Sequence, residues 1–212
     1  MKIIYKVLKQ IIDFILALLG IILLSPIYLL TAIAIKIDSK GPVIFVQKRI
    51  GKNGKEFNLY KFRSMSAKNN TLDFTQENII TRVGKFIRKT SIDELPQLFN
   101  ILKGDMAFIG PRPWIPEYAM YMTEAQQHRH DVLPGITGLA QAMGRNNLTV
   151  IEKVNYDLEY VKKISLFMDI KIIFLTFVAL FSRSGAEMTK MGMKKEIDDL
   201  KENYEKETKA TK

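Results

Sequence analysis

Residues 14–35, FILALLGIILLSPIYLLTAIAI, carry no charged side chain, and their reading decides the fold. A helix needs about 20 apolar residues to cross a bilayer core, so length and composition allow one crossing. Ser25 and Pro26 interrupt the run. Proline removes a backbone N–H and kinks a helix, while a neighbouring serine hydroxyl can satisfy the carbonyl left over. Lys2, Lys6 and Lys9 flank the run on one side and Lys36 and Lys40 on the other, so basic residues pick no inside end. Two topologies stay open: a kinked helix that spans, and a re-entrant helix that enters and leaves on one face. A cleaved signal peptide fits less well, because the run is long and Ala32-Ile33-Ala34 is a poor cleavage site.

Outward from that run, charge and composition narrow the partners. The chain has 212 residues, a net charge of +10 and a pI near 9.6. That is room for one ordinary domain beside a membrane segment. Its partners are expected to be anionic: phospholipid, nucleotide or nucleic acid. Cysteine is absent, which removes disulfides, thiolate zinc sites and cysteine nucleophiles. Only two histidines occur, His128 and His130, too few for a histidine-rich metal site; at a helix end they serve capping or the macrodipole. A soluble nucleic-acid binder fits the charge alone. The apolar N-terminus and the lack of an aromatic-plus-basic RNA motif count against it, and no nucleic-acid partner is expected.

Val43–Ile50 and Phe57–Met65 read as strands joined by Gly51-Lys52-Asn53-Gly54, a hairpin signal. The two-residue period places Lys61 and Arg63 on one face. Residues 68–78 are polar and read as loop. Residues 79–103 read as one helix, stopped by Gly104. From Gly110 to Gly144, closely spaced glycines and prolines mark ordered loop around a helix from about Pro116 to His130. A further helix is expected from about Val150 to Lys163. Ile172–Phe181 is apolar but too short to span, so it is a core helix or one lying in the membrane interface. From Arg183 onward eight basic residues balance seven acidic ones, the mark of a solvated helix or of disorder, with no chemistry assigned.

The residues best suited to chemistry are Ser91-Ile92-Asp93-Glu94-Leu95-Pro96-Gln97, with Arg82, Lys85, Arg88 and Lys89 just before them. Ser91 and Glu94 match a capping box, or Asp93 is itself the N-cap with Pro96 in the first turn. Capping alone would explain the pair. A capped helix start also attracts phosphate. A carboxylate there can attack phosphorus to form an acyl phosphate, while its neighbour holds Mg²⁺. Arg112 is fixed between Pro111 and Pro113, and a preorganised guanidinium suits bidentate phosphate binding. Arg145, in Gly144-Arg145-Asn146-Asn147, lies in a polar loop able to meet a nucleotide. Asp157 is a metal or supporting partner, or simply an exposed helix residue.

Taken together, Ser91–Leu98, Lys103-Gly104-Asp105-Met106, Gly110–Pro113 and Leu133–Gln141 resemble the bacterial sugar transferase family. Ser25-Pro26 and Tyr60-Lys61-Phe62-Arg63-Ser64-Met65 add to the likeness, which runs over roughly residues 8–185. These are monotopic phosphoglycosyl transferases, which move a sugar-1-phosphate from a UDP-sugar to undecaprenyl phosphate and release UMP. The resemblance implies an α+β fold, mostly helical with a small β-hairpin, on a re-entrant membrane helix with amphipathic helices in the interface. It implies a membrane segment at 1–36, a catalytic domain at 37–185 and a charged tail at 186–212. Asp93 is implied as nucleophile through a covalent phosphosugar, with Glu94 beside it holding Mg²⁺. Lys61, Arg63, Arg88, Pro111, Arg112, Pro113, Arg145 and Asp157 are implied around the substrate. Expected partners are a UDP-sugar, undecaprenyl phosphate and membrane phospholipid, with a second copy of the chain allowed. The expected place is the cytoplasmic face of the bacterial inner membrane. The rival reading is a membrane-anchored basic scaffold without catalysis. Which sugar is carried is not legible.

Overall fold

The computed structural model describes residues 2–66, 79–144, 147–181 and 190–210. The loop expected at 68–78 lies outside them, as does Arg145. Helix α1 (Lys2–Asp38) is continuous through Pro26. At 1.5 Å per residue it is about 55 Å long. Pro26 leaves the Ile22 carbonyl without its helical donor, and Ser25 Oγ donates to that oxygen at 2.8 Å. Tyr5, Lys9, Asp13, Ala17, Ile21, Tyr28 and Ile35 recur at steps of four or seven and form the stripe that packs on the domain. The remaining surface of α1 is bare and apolar, with Leu23, Leu30 and Ile37 among its most exposed residues. Among the described residues α1 is the one helix long and apolar enough to cross a membrane.

β1 (Ile44–Ile50) and β2 (Glu56–Phe62) form the expected antiparallel hairpin, with Phe45 opposite Lys61 and Ile50 opposite Glu56. Asn53 and Gly54 close its turn at φ 57° and 72°, where asparagine and glycine are the tolerated residues. β2 ends three residues earlier than expected. Arg63 turns inward there, and its guanidinium donates to the carbonyls of Ser39, Lys40 and Pro42. It ties down the segment after α1.

The single helix expected at 79–103 is three pieces: α2 (Arg82–Lys89), a 3-10 turn (Ile92–Glu94) and α3 (Gln97–Leu102). Ser91 takes a left-handed conformation, φ 58°, which no helix continues through, and Pro96 has no N–H to extend one. The Thr81 side chain caps α2 by accepting from the Gly84 amide. Fully buried Asn100 fastens α3 to the free edge of β2. Its Oδ1 accepts from Tyr60 N at 3.0 Å and its Nδ2 donates to Asn58 O at 2.7 Å. One side chain thus stands in for a third strand.

A second small sheet was not expected: β3 (Ala107–Ile109) pairs in parallel with β4 (Gly135–Thr137). The chains approach so closely that a Cβ on Gly110 would lie 2.3 Å from the Leu133 carbonyl oxygen. In place of one helix over 116–130 the chain forms α4 (Pro116–Ala119), α5 (Glu124–Gln127) and a 3-10 turn at His128–His130. The break comes at Thr123, whose amide donates to Gln126 Oε1 at 3.1 Å and starts a new helix. α6 (Leu139–Met143) follows, then α7 (Val150–Lys163) where expected, opened by a Thr149–Glu152 capping box.

α8 (Leu166–Phe181) starts six residues before Ile172 and turns two faces different ways. Met168, Asp169 and Ile172 point into the core, while Phe167, Ile170, Phe174 and Phe177 are exposed. Asp169 gathers a buried polar cluster: Tyr5 and Tyr160 hydroxyls donate to it at 2.7 and 2.9 Å, and Lys9, also paired with Asp13, lies 3.1 Å away. That cluster fastens the first turns of α1 to α7 and α8. α9 (Lys190–Ala210) lies in the tail that reads as a solvated helix or as disorder, and it is helical. It docks instead, burying Leu200 completely among Trp114, Tyr118, Val150 and Val154. Glu196 meets Lys153 and the Tyr118 hydroxyl. Balanced charge conceals the apolar stripe that Ile197 and Leu200 provide.

Candidate active site

Asp93 and Glu94 lie in the 3-10 turn between α2 and α3, with no helix start beneath them. The capping box expected of Ser91 and Glu94 is absent. Ser91 makes no side-chain cap, and the Glu94 amide donates to the Ser91 carbonyl at 3.1 Å. Asp93 is not an N-cap either, since Pro96 holds that position for α3. Both carboxylates are therefore available to the space in front of β2. The turn rests on α1, where the Tyr28 hydroxyl donates to the Leu95 carbonyl at 2.6 Å. Tyr28 follows Ser25 and Pro26 closely, so the break in the apolar run lies beside the acidic pair.

Glu94 is engaged. Lys61 Nζ at 2.6 Å and Arg112 Nη2 at 3.4 Å both meet its Oε1. Burial alone would raise its pKa, but those two cations overcome burial and hold the carboxyl near 2. Burial pushes Lys61 below the usual lysine range, with Glu94 opposing and Arg112 assisting. Asp93 behaves differently. Burial raises its pKa and the adjacent Glu94 charge adds to that, against the pull of Lys61, Arg88 and Arg112. Among the described residues Asp93 makes no ion pair. Two neighbouring carboxylates driven apart in this way suit two tasks, one electrostatic and one reactive. Arg88 stands in the field of both, its own pKa lowered by burial.

Pro111 and Pro113 are buried and Arg112 between them is exposed, so the loop presents one guanidinium toward Glu94. A shallow depression beside it is lined by Ile50, Gly51, Pro111, Arg129, His130 and Pro134. Lys61, Arg88, Asp93, Glu94 and Arg112 are thus brought together. Arg63 and Asp157 are not. Arg63 is consumed by the three carbonyls after α1. Asp157, 2 % exposed, accepts from Arg129 Nε at 3.1 Å and Nη2 at 2.6 Å through one oxygen. It holds Arg129 and faces no open space.

Arg129 and Arg49 are site residues that the sequence reading passed over. Arg129 is fully buried, stacks 4.2 Å from the Trp114 ring, and donates to the Arg112 carbonyl at 2.8 Å. Nothing local in the sequence marks it. It also fixes His130: Arg129 Nη1 lies 3.2 Å from Nε2, which must accept, so Nδ1 carries the proton toward Gln127 Oε1. Burial first and then Arg129 push that imidazole down to about 3, and it is neutral. Arg49 was legible. The strand period puts Phe45 and Arg49 on one face, and Phe45 stands opposite Lys61.

No group of three or more metal-binding side chains occurs among the described residues. The acidic pair still fits Mg²⁺, which is commonly held by one or two carboxylates together with substrate phosphates. Glu94 spends only Oε1 on Lys61 and Arg112, which leaves Oε2 and the Asp93 carboxylate as hard oxygen donors.

The model of the bacterial sugar transferase family matches residues 4–183. A UDP-glucose:undecaprenyl-phosphate glucose-1-phosphate transferase of Klebsiella pneumoniae is 45% identical over 192 residues, 85% of this chain and 41% of that protein. A UDP-N-acetylgalactosamine-undecaprenyl-phosphate N-acetylgalactosaminephosphotransferase of Aeromonas hydrophila is 41% identical over 198 residues, covering 86% of this chain and 46% of its own length. An uncharacterised sugar transferase of Bacillus subtilis is 42% identical over 187 residues, 86% of this chain and 92% of that protein. The chain thus spans under half of the first two relatives and nearly all of the third. With the acidic turn, the Pro-Arg-Pro loop and the apolar N-terminal helix all inside the matched span, the chain belongs to the bacterial sugar transferase family.

Proposed function

We propose that this chain is a phosphoglycosyl transferase that moves a sugar-1-phosphate from a UDP-sugar to undecaprenyl phosphate and releases UMP. It would begin glycan assembly at the cytoplasmic face of a bacterial inner membrane. The observation that carries this reading is an acidic pair of unequal character, ringed by Lys61, Arg88 and Arg112 and seated against a bare apolar helix. The names of the Klebsiella and Aeromonas relatives support the reaction class.

In the first half-reaction an Asp93 oxygen attacks the β-phosphorus of the donor. The Asp93–phosphorus bond forms, the bond to the oxygen bridging the two phosphates breaks, and UMP departs with that oxygen. In the second, an oxygen of the lipid phosphate attacks the same phosphorus and frees Asp93 as carboxylate, leaving a sugar on a lipid diphosphate. Arg112 and Arg88 bind and orient the donor phosphates, and Lys61 keeps Glu94 charged and in place. Glu94 and Asp93 would hold Mg²⁺, which would supply charge neutralisation at the diphosphate. Arg145 remains a proposed donor contact, and α8 a helix lying in the interface with its apolar face in lipid.

The test is a screen of UDP-sugars with the enzyme alone. UMP should appear before any lipid phosphate is added, with a protein heavier by one sugar phosphate at Asp93. Asp93→Asn should give neither. Release of UMP only when both substrates are present, with no adduct trapped, would replace the covalent route by direct transfer.

A further inference from the structure

Pro111, Arg112, Pro113 and Trp114 present four consecutive carbonyls, and each accepts from a different group. Gly135 N donates to Pro111 O at 2.9 Å, Arg129 Nη2 to Arg112 O at 2.8 Å, Arg49 Nη1 to Pro113 O at 3.1 Å, and Ile50 N to Trp114 O at 2.9 Å. Two prolines in four residues leave this loop few donors of its own, so its shape is imposed from β1, β4 and the 3-10 turn at His128–His130. We propose that Arg49 is a positioning residue that sets Arg112 at the acidic turn by gripping the loop one residue further on.

Arg49 is an odd group to hold half-buried for stability. Among the described residues it has no carboxylate partner, and its Nε is buried without a hydrogen bond. Burial, and then the repulsion of Arg112, lower its pKa to about 10. A cation held at such cost must be retained for where it reaches. One arm grips Pro113 O and the other donates to Gln47 Oε1 at 2.6 Å. Gln47 lies on the same strand face, so the fork is braced from β1 itself. With each outer nitrogen fixed by one of these bonds, Arg49 acts through Arg112 and does not hold the donor. A displacement of a binding group by about 1 Å is enough to lower turnover by two orders of magnitude.

This role rests on Arg112 serving the donor, but the loop can be read without turnover. Trp114 is the one tryptophan of the chain and lies in the gripped segment. Its emission therefore reports the loop directly. Arg49→Ala should shift that emission to the red and raise acrylamide quenching about twofold, as a ring only 8 % exposed becomes open to water. Its kcat/KM for the UDP-sugar should fall about tenfold or more. In an Arg112→Ala background the same change should cost little further, because the group it positions is gone. Arg49→Lys keeps the charge without the fork and should move fluorescence and kinetics the same way. It carries both arms if the alanine variant does not fold. Lost turnover with unaltered Trp114 emission would overturn the proposal, as would a full multiplicative loss on top of Arg112→Ala. Absence of UMP release from wild-type protein with every UDP-sugar would instead defeat the proposed function, and the fluorescence arm would still decide whether Arg49 holds the loop.

Discussion

Asp93 and Glu94 are adjacent in sequence and titrate in opposite directions, which gives acid two separate effects. Glu94 falls from its ordinary 4.5 to about 2 because Lys61 and Arg112 outweigh burial. A depressed carboxyl contributes stability that is complete above the unfolded value and is lost as pH falls toward the folded one. Wild-type protein should therefore lose denaturant stability between about pH 4.5 and 2, and Glu94→Gln should show a shallower loss there. Asp93 has the reverse sign: burial raises it above 3.8, so its linked stability is complete below 3.8 and declines as pH rises from there through the raised value. Its reactive form appears only above the raised value. The acid limb of adduct formation should thus lie above the ordinary aspartate range, and Arg88→Ala should move it higher by removing a cation that favours the carboxylate. A limb that stays put in Arg88→Ala would show that Asp93 does not set it. Metal dependence belongs to the same pair. EDTA should abolish UMP release and Mg²⁺ restore it, while Glu94→Gln should lower the rate by well over tenfold. Full turnover in chelator would remove the metal from the reaction.

At the scale of elements, the contact of Lys61 with Glu94 depends on how α3 meets the hairpin. The 3-10 turn leads directly into α3, and Asn100 binds α3 to the edge of β2 through Asn58 and Tyr60. Asn100→Ala would leave the part-buried Tyr60 N–H and Asn58 carbonyl without their side-chain partner. The expected loss is about 2–4 kcal/mol by denaturant unfolding, with weaker turnover because Lys61 and Glu94 drift apart. An unchanged midpoint would mean that water satisfies both groups. The hairpin and α7 were readable because their signals are local, a Gly-Lys-Asn-Gly turn and a Thr-x-x-Glu box. The stretch 79–103 was misread as one helix because its break depends on the backbone conformation of Ser91, which composition does not announce. The docking of α9 escaped for a related reason, since two apolar positions among balanced charges become a docking face only when Trp114 and Val154 are there to receive them.

For the whole molecule, the informative fact is that α1 is fastened to the same domain near both ends. Tyr5 and Lys9 meet Asp169, and Asp38 Oδ2 accepts from Val83 N at 2.9 Å. Both ends of α1 thus contact one domain, and on that ground we propose that it re-enters the membrane. Cysteines placed at positions 4 and 40 should both resist a membrane-impermeant reagent added outside intact cells, and both should react once the membrane is opened. Reaction at position 4 alone in intact cells would restore a crossing helix.

The sequence by itself determined the apolar anchor, the hairpin, the acidic pair, the Pro-Arg-Pro loop and the family, because each is written in residues close together along the chain. Only the tertiary structure decided what each carboxylate can do. Glu94 is held near full ionisation by Lys61 on a strand and Arg112 on a distant loop, while burial leaves Asp93 the less satisfied of the two. Asp157 and Arg63, equally plausible on paper, are spent on Arg129 and on backbone carbonyls. The division follows from electrostatics. Charge type is local to a residue, but the desolvation and the partner that set its behaviour come from segments that meet only when the chain has folded.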